Sequence, residues 1–134
     1  MGHAVRTPPA PNSAQRDRLL LVGVGVGAAP VLALLRELPE ETDVVVVLRG
    51  ATPDEIVLRD EIVGAVARCG GRLVELSGTR HWDRLDAAAL RGSVPDVRRR
   101  ETYLCGPATL SRRLADELGR AGVALRRIHV WSFA

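Results

Sequence analysis

Lysine is absent from the sequence, and aromatic residues make up only 3% of its 134 residues. All 19 basic residues are therefore arginine, and because 16 acidic residues nearly balance them, the formal net charge is only +3. So small a charge argues against a nucleic-acid-binding domain, which needs a concentrated basic surface. With 46% hydrophobic and 26% charged residues, the composition is that of a globular protein and excludes disordered and fibrous classes.

Cysteine and histidine are also scarce. Cys69 and Cys105 are the only cysteines, which is too few for a disulfide framework, and their spacing is not that of a zinc site. This usage indicates a reducing, cytoplasmic environment. His3, His81 and His129 lie far apart, whereas a metal site needs several ligands close together. We therefore predict no metal site.

Long hydrophobic runs are lacking as well. Residues 19–35, LLLVGVGVGAAPVLALL, fall short of the roughly 20 apolar residues that a spanning helix needs. Glycines and a proline at the centre of this run would interrupt a helix. Pro8, Pro9 and Pro11 occupy the region before it, which argues against a secretory signal. We predict no direct membrane insertion.

The length suits one domain. Residues 1–17 are polar and proline-rich without an apolar period, and we predict a linker or tail there. Residues 18–134 are predicted to form one domain. The chain is too short for a two-domain enzyme that binds a cofactor in one half and performs chemistry in the other, so we expect a further domain in a longer parent or a separate partner.

Short apolar strands alternate with helices along residues 18–134. The strands are predicted at 19–24, 43–49, 72–77, 101–105 and 126–133, and the helices at 30–38, 54–69, 86–92 and 107–122. This alternation is typical of right-handed crossovers. It predicts an α/β fold, a three-layer doubly wound five-stranded parallel sheet of order 3-2-1-4-5 with helices on both faces. Ligands of such sheets bind at the carboxyl ends of the strands, here between strands 1 and 4.

The first loop at that place is VGVGAAP (24–30). Glycines let a backbone approach a phosphate, and the following helix presents free N–H groups to it. The usual dinucleotide fingerprint has a third glycine where Pro30 stands, so this is not an ordinary dehydrogenase motif. A proline is well tolerated in the first helical turn. The alternative is a glycine turn that serves packing alone.

The end of strand 2 bears on which nucleotide would bind. It reads Leu48-Arg49-Gly50 and lacks the carboxylate that accepts hydrogen bonds from the ribose of NAD. Arg49 therefore favours NADP, because a guanidinium binds a 2′-phosphate bidentately. Ser77 and Arg80, after strand 3, fall on the same side of the sheet and would complete the pocket. The alternative is that these arginines are solvated surface residues.

The second loop at the switch point follows strand 4 in YLCGPA (103–108). Cys105 ends the strand, and Gly106 and Pro107 open a helix. This order predicts a thiol beside the first loop, where it can contact a nicotinamide ring. The alternative for Cys105, as for Cys69, is a small hydrophobic core residue.

Together, G-x-G-x-x-P after strand 1, CGP after strand 4 and I-H-x-x-x-F at the C-terminus resemble the ferredoxin–NADP reductase superfamily. More narrowly, LRDEI (58–62), VPDV (94–97), YLCGPATL (103–110) and IHVWSF (128–133) resemble the pyridine-nucleotide domain of ferric-reductase-like flavoproteins. The resemblance covers about residues 19–134. It implies a separate β-barrel domain that binds FAD or FMN, while this domain supplies NAD(P)H. Hydride then passes from nicotinamide C4 to flavin N5.

The resemblance also implies a role for particular residues. The pyrophosphate would be held by the first loop and its helix, at Gly25, Gly27, Ala28, Ala29 and Pro30. The adenosine ribose and its phosphate would be faced by Arg49, Ser77 and Arg80. The nicotinamide would be bounded by Cys105, Gly106, Pro107 and Ala108. Catalytic roles fall to Cys105, which would align the nicotinamide, and to Phe133, which would lie against the flavin.

Two residues depart from the family pattern. Ala29 stands where relatives usually carry threonine or serine, and Trp131 stands at the acidic position of I-H-x-E-x-F. The main interpretation is an NAD(P)H-binding domain that delivers hydride, from NADPH with NADH as the alternative, to the flavin of a separate or missing domain. It would act in the cytoplasm or at the cytoplasmic face of a membrane, with an unidentified electron acceptor downstream. The alternative is a non-catalytic nucleotide-binding sensor or regulatory module.

The run Arg98-Arg99-Arg100 precedes strand 4, at the edge of the sheet opposite to the nucleotide. Runs of like charge normally stay hydrated, so we predict a solvated loop, with docking of an acidic electron-transfer partner as the alternative. His129, in the last strand, is predicted to be a core or edge residue.

Overall fold

The computed structural model describes residues 18–50, 58–77 and 86–133. Within them the strands are β1 Leu19–Val24, β2 Val44–Gly50, β3 Arg72–Ser77, β4 Glu101–Pro107 and β5 Ile128–Phe133. The α-helices are α1 Ala28–Glu37, α2 Arg59–Cys69, α3 Ala87–Ser93 and α4 Ala108–Arg120. Three short 3₁₀ turns lie at Gly25–Gly27, Val97–Arg99 and Leu125–Arg127. The predicted tail, residues 1–17, lies outside the described residues.

The five strands form one sheet of order β3-β2-β1-β4-β5, and every neighbouring pair is parallel. Successive side chains of a strand point to opposite faces, and two apolar clusters result. One cluster joins Leu21 and Val46 to α1 and α2, and the other joins Leu20 and Leu104 to α3 and α4. The predicted three-layer α/β fold and its strand order are confirmed.

The bounds differ from the predicted ones at the two loops of interest. The first helix begins at Ala28 rather than at Pro30, because the first-turn N–H groups have no intrahelical partner and the proline costs nothing there. Strand β4 does not end at Cys105 but continues through Gly106 and Pro107, which pair with Ser132 and Phe133 of β5.

The predicted solvated loop is wrong for Arg100, which is only 6% exposed. Its guanidinium donates to the carbonyl of Leu19 at 2.9 Å and forms ion pairs with Asp43 and Asp96, both at 2.8 Å. A buried charge is tolerated only when it is paired and hydrogen-bonded. Arg100 therefore ties together the amino ends of β1, β2 and β4. Arg98 and Arg99 are exposed as predicted.

Each helix in the described part of the chain is too short or too polar to cross a bilayer.

Candidate functional site

The candidate site lies at the carboxyl edge of the sheet, where β1 and β4 are neighbours. The chain leaves β1 through the turn Gly25–Gly27 into α1, and it leaves β4 directly into α4. Because β2 and β4 lie on either side of β1, this is the topological switch point, where open parallel sheets form their ligand crevice.

Gly27 lets the two loops touch through their backbones. A β-carbon at Gly27 would lie 1.9 Å from the carbonyl oxygen of Cys105 and 3.1 Å from the nitrogen of Gly106. Gly25 has open space around it but a φ of +59°, a left-handed conformation that favours glycine. Close packing thus explains the need for glycine at position 27, and the left-handed backbone explains it at position 25. Together the two glycines fix the path of the first loop.

Helices α1 and α4 both begin at this edge with uncompensated polar ends. Neither has a side-chain N-cap, and neither has an acidic residue in its first turn. By contrast, α3 is capped by Asp86, whose carboxylate accepts from the Ala89 N–H at 2.8 Å. Free N–H groups and the helix dipole make such termini favourable for an anion. Ala29 and Ala108 are exposed there, whereas Ala28 is buried.

Arg49 is the largest fully buried side chain, at 1% exposure. The alternative of a solvated surface arginine is therefore wrong for this residue. One of its hydrogen bonds runs from Nη1 to the carbonyl of Gly50 at 3.5 Å, and burial lowers the pKa of its guanidinium. An arginine nevertheless stays protonated in proteins. Its proposed contact with a ribose phosphate stays a prediction.

The remaining members of the predicted ribose pocket are only partly described. Ser77 is the last residue of β3 and is opposite Gly50 in the register of β2 and β3. The structure therefore brings Ser77 and Arg49 to neighbouring strand ends. Arg80 lies outside the described residues.

Cys105 lies inside β4 with 1% exposure. Burial raises the pKa of its thiol to about 12, so the thiol is neutral at physiological pH. It is part of the apolar cluster below α1, and Trp131, its register partner on β5, packs against the same cluster. These surroundings are those of a small core residue, and contact with a nicotinamide stays a prediction.

Gly106 and Pro107 complete the β4–α4 junction. A β-carbon at Gly106 would meet Cβ of Val24 at 3.0 Å, so this glycine brings β4 close to the end of β1. Ser111, a buried residue of α4 for which the sequence predicted no role, donates its hydroxyl to the Gly106 carbonyl at 3.2 Å. The available signal was a serine four residues after the CGP motif. The backbone of Phe133 pairs with Pro107 at the same edge.

A side-chain cluster lies farther back on β4 and β5. The rings of Tyr103 and His129 stack with centroids 4.6 Å apart, and His129 Nε2 lies 2.8 Å from a carboxylate oxygen of Glu101. His129 is half-buried on an edge strand, as predicted. Among the described residues, no group of three or more His, Cys, Asp or Glu side chains is arranged to hold a metal ion.

No protein-family profile matches the chain. It is 31% identical over 136 residues to an NADPH oxidoreductase of Mycobacterium tuberculosis (strain ATCC 25618 / H37Rv), which covers 99% of this chain and 34% of the relative. The chain thus spans about a third of the length of that relative.

Two solved structures resemble this chain in fold over most of its length. A flavohemoglobin from Malassezia yamatoensis with bound FAD and heme superposes with a TM-score of 0.74 and 24% identity, covering 92% of this chain and 33% of that one. A ferredoxin–NADP+ reductase from Plasmodium falciparum with 2′P-AMP superposes with a TM-score of 0.65 and 14% identity, covering 92% and 56%. The narrower resemblance to ferric-reductase-like flavoproteins stays a prediction. The chain therefore has the fold of ferredoxin–NADP reductase-like domains, as the resemblance noted in the sequence implies.

Proposed function

We propose that the chain is the NAD(P)H-binding part of a flavin-dependent oxidoreductase. The observation that carries the proposal is the meeting, at the β1–β4 switch point, of two helix N-termini without caps or acidic residues. The Mycobacterium relative is named as an NADPH oxidoreductase, which supports a catalytic role over that of a non-catalytic sensor. This chain spans about a third of that relative, and we place the flavin of the proposed reaction in a domain outside the chain.

The described residues fit a dinucleotide. The first turns of α1 and α4 lie at this edge, where their free N–H groups would bind an anion, and Gly27 removes the β-carbon that would push the first loop away from β4. When bound, the nicotinamide supplies a hydride to a flavin. Cys105 contributes a small neutral wall there, because the pKa of its thiol is about 12. It neither charges nor exchanges a proton at neutral pH.

NADP is the proposed nucleotide, with NAD as the alternative. Arg49 is the penultimate residue of β2, one position before Gly50, which pairs with Ser77, and it brings a positive charge where NAD-specific sheets carry a carboxylate. The fold neighbour from Plasmodium is described with 2′P-AMP, the adenosine portion that distinguishes NADP from NAD. We further propose that the partner domain holds FAD or FMN and that Phe133 lies against the flavin ring. The proposed location is the cytoplasm. Ala29, exposed beside the crevice, leaves the nicotinamide side without the hydroxyl of its relatives.

A titration of the purified chain with NADPH tests nucleotide binding. We expect saturable binding in the micromolar to millimolar range, followed by calorimetry or by quenching of tryptophan fluorescence. Complete absence of binding at millimolar NADPH would overturn the proposal.

Hydride transfer needs a second experiment. The chain is mixed anaerobically with the flavin domain of a related reductase, and flavin absorbance is followed after NADPH is added. Bleaching that requires both the chain and NADPH is the expected result. Binding without bleaching would favour the sensor alternative.

A further inference from the structure

Two 3₁₀ turns at the amino edge of the sheet form one basic surface. The turns Val97–Arg99 and Leu125–Arg127 precede β4 and β5, and the Nη1 of Arg127 donates to the carbonyl of Arg99 at 2.9 Å. The stem of Arg98 lies over Gly122, where a β-carbon would approach its Cδ to 2.8 Å. The arginine patch consists of Arg98, Arg99, Arg126 and Arg127.

Other arginines are paired with acids, but among the described residues the arginine patch is not. Arg59 pairs with Glu75, Arg100 with Asp43 and Asp96, and Arg120 with Glu117. Within the described ranges, by contrast, none of the four patch guanidinium groups has an ion pair. Four like charges gathered on one surface without counter-ions repel one another, and an anionic partner relieves that repulsion.

An apolar anchor lies inside this basic surface. Leu125, in the second turn, is 83% exposed, more than any other large hydrophobic residue in the described part of the chain. It borders an open groove of about 530 Å³ between α4 and the start of β5. The groove is lined by apolar Ala115, Val123 and Ile128 and by charged Asp116 and Arg120. An exposed leucine beside a groove of mixed lining and next to exposed arginines is the composition of a protein interface.

We propose that the arginine patch and the Leu125 groove together dock an acidic protein segment that carries apolar side chains. Carboxylates of that segment would pair with the guanidinium groups, and its apolar side chains would lie in the groove beside Leu125. A nucleic acid is the poorer fit, because its backbone needs an extended basic track.

The position of the surface determines which edge of the sheet a docked partner would cover. Strand β4 runs seven residues, Glu101–Pro107, so the arginine patch and the switch point are separated by roughly 20 Å at about 3.3 Å per residue. A partner held at the amino edge therefore leaves the switch point open. The proposed docking does not depend on the proposed nucleotide chemistry.

The test uses the full chain and a fluorescein-labelled, glutamate-rich peptide that carries leucines, with fluorescence anisotropy as the readout. A peptide with glutamine in place of glutamate is the neutral control. We expect the acidic peptide to bind and the neutral one to bind at least about fivefold more weakly. Added salt should weaken the acidic complex, because exposed charge pairs are screened within about 10 Å at 0.1 M salt.

Two charge-reversed variants distinguish binding at this surface from a general effect of net charge. Arg99→Glu with Arg126→Glu should weaken the acidic peptide at least about tenfold. Arg36→Glu with Arg72→Glu changes the net charge equally at exposed positions outside the surface and should weaken it less than about twofold. Unchanged circular dichroism and thermal midpoint confirm that both variants fold.

Three outcomes would overturn the proposal. The first is no binding of the acidic peptide at millimolar concentration in low salt. The second is equal weakening by both variant pairs. The third is tighter binding to phosphatidylserine vesicles or to duplex DNA than to the peptide, which would assign the surface to a membrane or a nucleic acid. None of these outcomes depends on whether NADPH binds.

Discussion

A β-carbon on Gly27 would lie 1.9 Å from the carbonyl oxygen of Cys105, so the first loop and β4 meet without any side chain between them. This contact makes the position of the loop a property of the folded sheet, fixed before any ligand arrives. Preorganisation of this kind spares a binding site the entropy of ordering a loop.

Gly27→Ala should therefore affect both stability and binding. The added methyl group would clash with the backbone of Cys105 rather than with a flexible side chain. Because backbone cannot easily move aside, we expect the free energy of unfolding to fall by about 1–3 kcal/mol. NADPH affinity should fall at least several-fold, because the loop must move away from β4. Urea unfolding and NADPH titration measure the two effects.

Gly64→Ala is the matched control. Gly64 lies in α2, and a β-carbon there meets nothing within 4 Å. Alanine in place of glycine in a helix is favourable by up to about 1 kcal/mol, so this variant should be at least as stable as the parent. Equal destabilisation by the two variants would contradict the contact described for Gly27.

Arg100→Met removes the guanidinium that ties β1, β2 and β4 together at their amino ends. We expect the free energy of unfolding to fall by about 2–3 kcal/mol. This is below the cost of breaking a fully buried pair, because Asp43 and Asp96 are partly exposed and water can reach them. Arg36→Met, at an exposed position of α1, should change stability by less than about 0.5 kcal/mol. Similar losses in the two variants would refute the structural role of Arg100.

The ion pair between Arg100 and Asp96 makes the stability of the protein depend on pH in the acidic range. The hydrogen bond from Arg100 is the largest of the causes that hold the pKa of Asp96 below its usual range. A depressed folded-state pKa contributes stability that is present above the unfolded value, about 3.9, and lost as pH falls through the folded value. We expect the urea concentration at the unfolding midpoint to decrease as the pH drops below about 4. In Arg100→Met this decrease with falling pH should be less steep. A parallel pH dependence in both proteins would contradict this assignment.

Cys105 should be inert toward thiol reagents in the folded protein. Its pKa of about 12 keeps the thiolate fraction negligible at pH 8, and only 1% of the residue is exposed. Since the thiolate is the reactive form, labelling by a disulfide reagent in a Cys69→Ser background should be at least 100-fold slower than in urea, on the order of magnitude set by that pKa shift. Prompt labelling of the native protein would show that Cys105 is accessible at the switch point.

Arg49→Gln tests nucleotide preference. If Arg49 reaches the 2′-phosphate, loss of its charge should weaken NADPH by about 10-fold or more, since hydrogen bonds between charged groups contribute about 1.5–3 kcal/mol. NADH affinity should change by less than about threefold. Because Arg49 is buried, a thermal melt must accompany the titrations. Equal losses for both nucleotides would remove Arg49 from the pocket.

The fold was predictable because its signals are local. Runs such as 44–48, five consecutive apolar residues, are buried on both faces, as parallel strands are, and glycine turns separate them from amphipathic helices. The order of the strands was predicted from the alternation of strands and helices and the right-handed crossovers that it implies.

The errors come from interactions between residues distant in sequence. Glycine and proline usually end a strand, yet β4 continues through Gly106 and Pro107 because β5 pairs with them. Arg100 looked like one of three solvated arginines, and only the fold brings Asp43 to it. Burial of Arg49 likewise has no signal in the sequence, because it depends on what packs over the end of β2.

The strand order sets a delay during synthesis. The central strand β1 is paired on one side by β2, which follows closely, but on the other side by β4, which begins only at Glu101. A ribosome adding about 5–20 residues per second needs on the order of several seconds to deliver β4 after β1. Through that interval an apolar strand has an unpaired edge, the kind of surface to which other chains attach. The yield of native protein should therefore depend on how quickly the chain is translated and on holding chaperones in that interval.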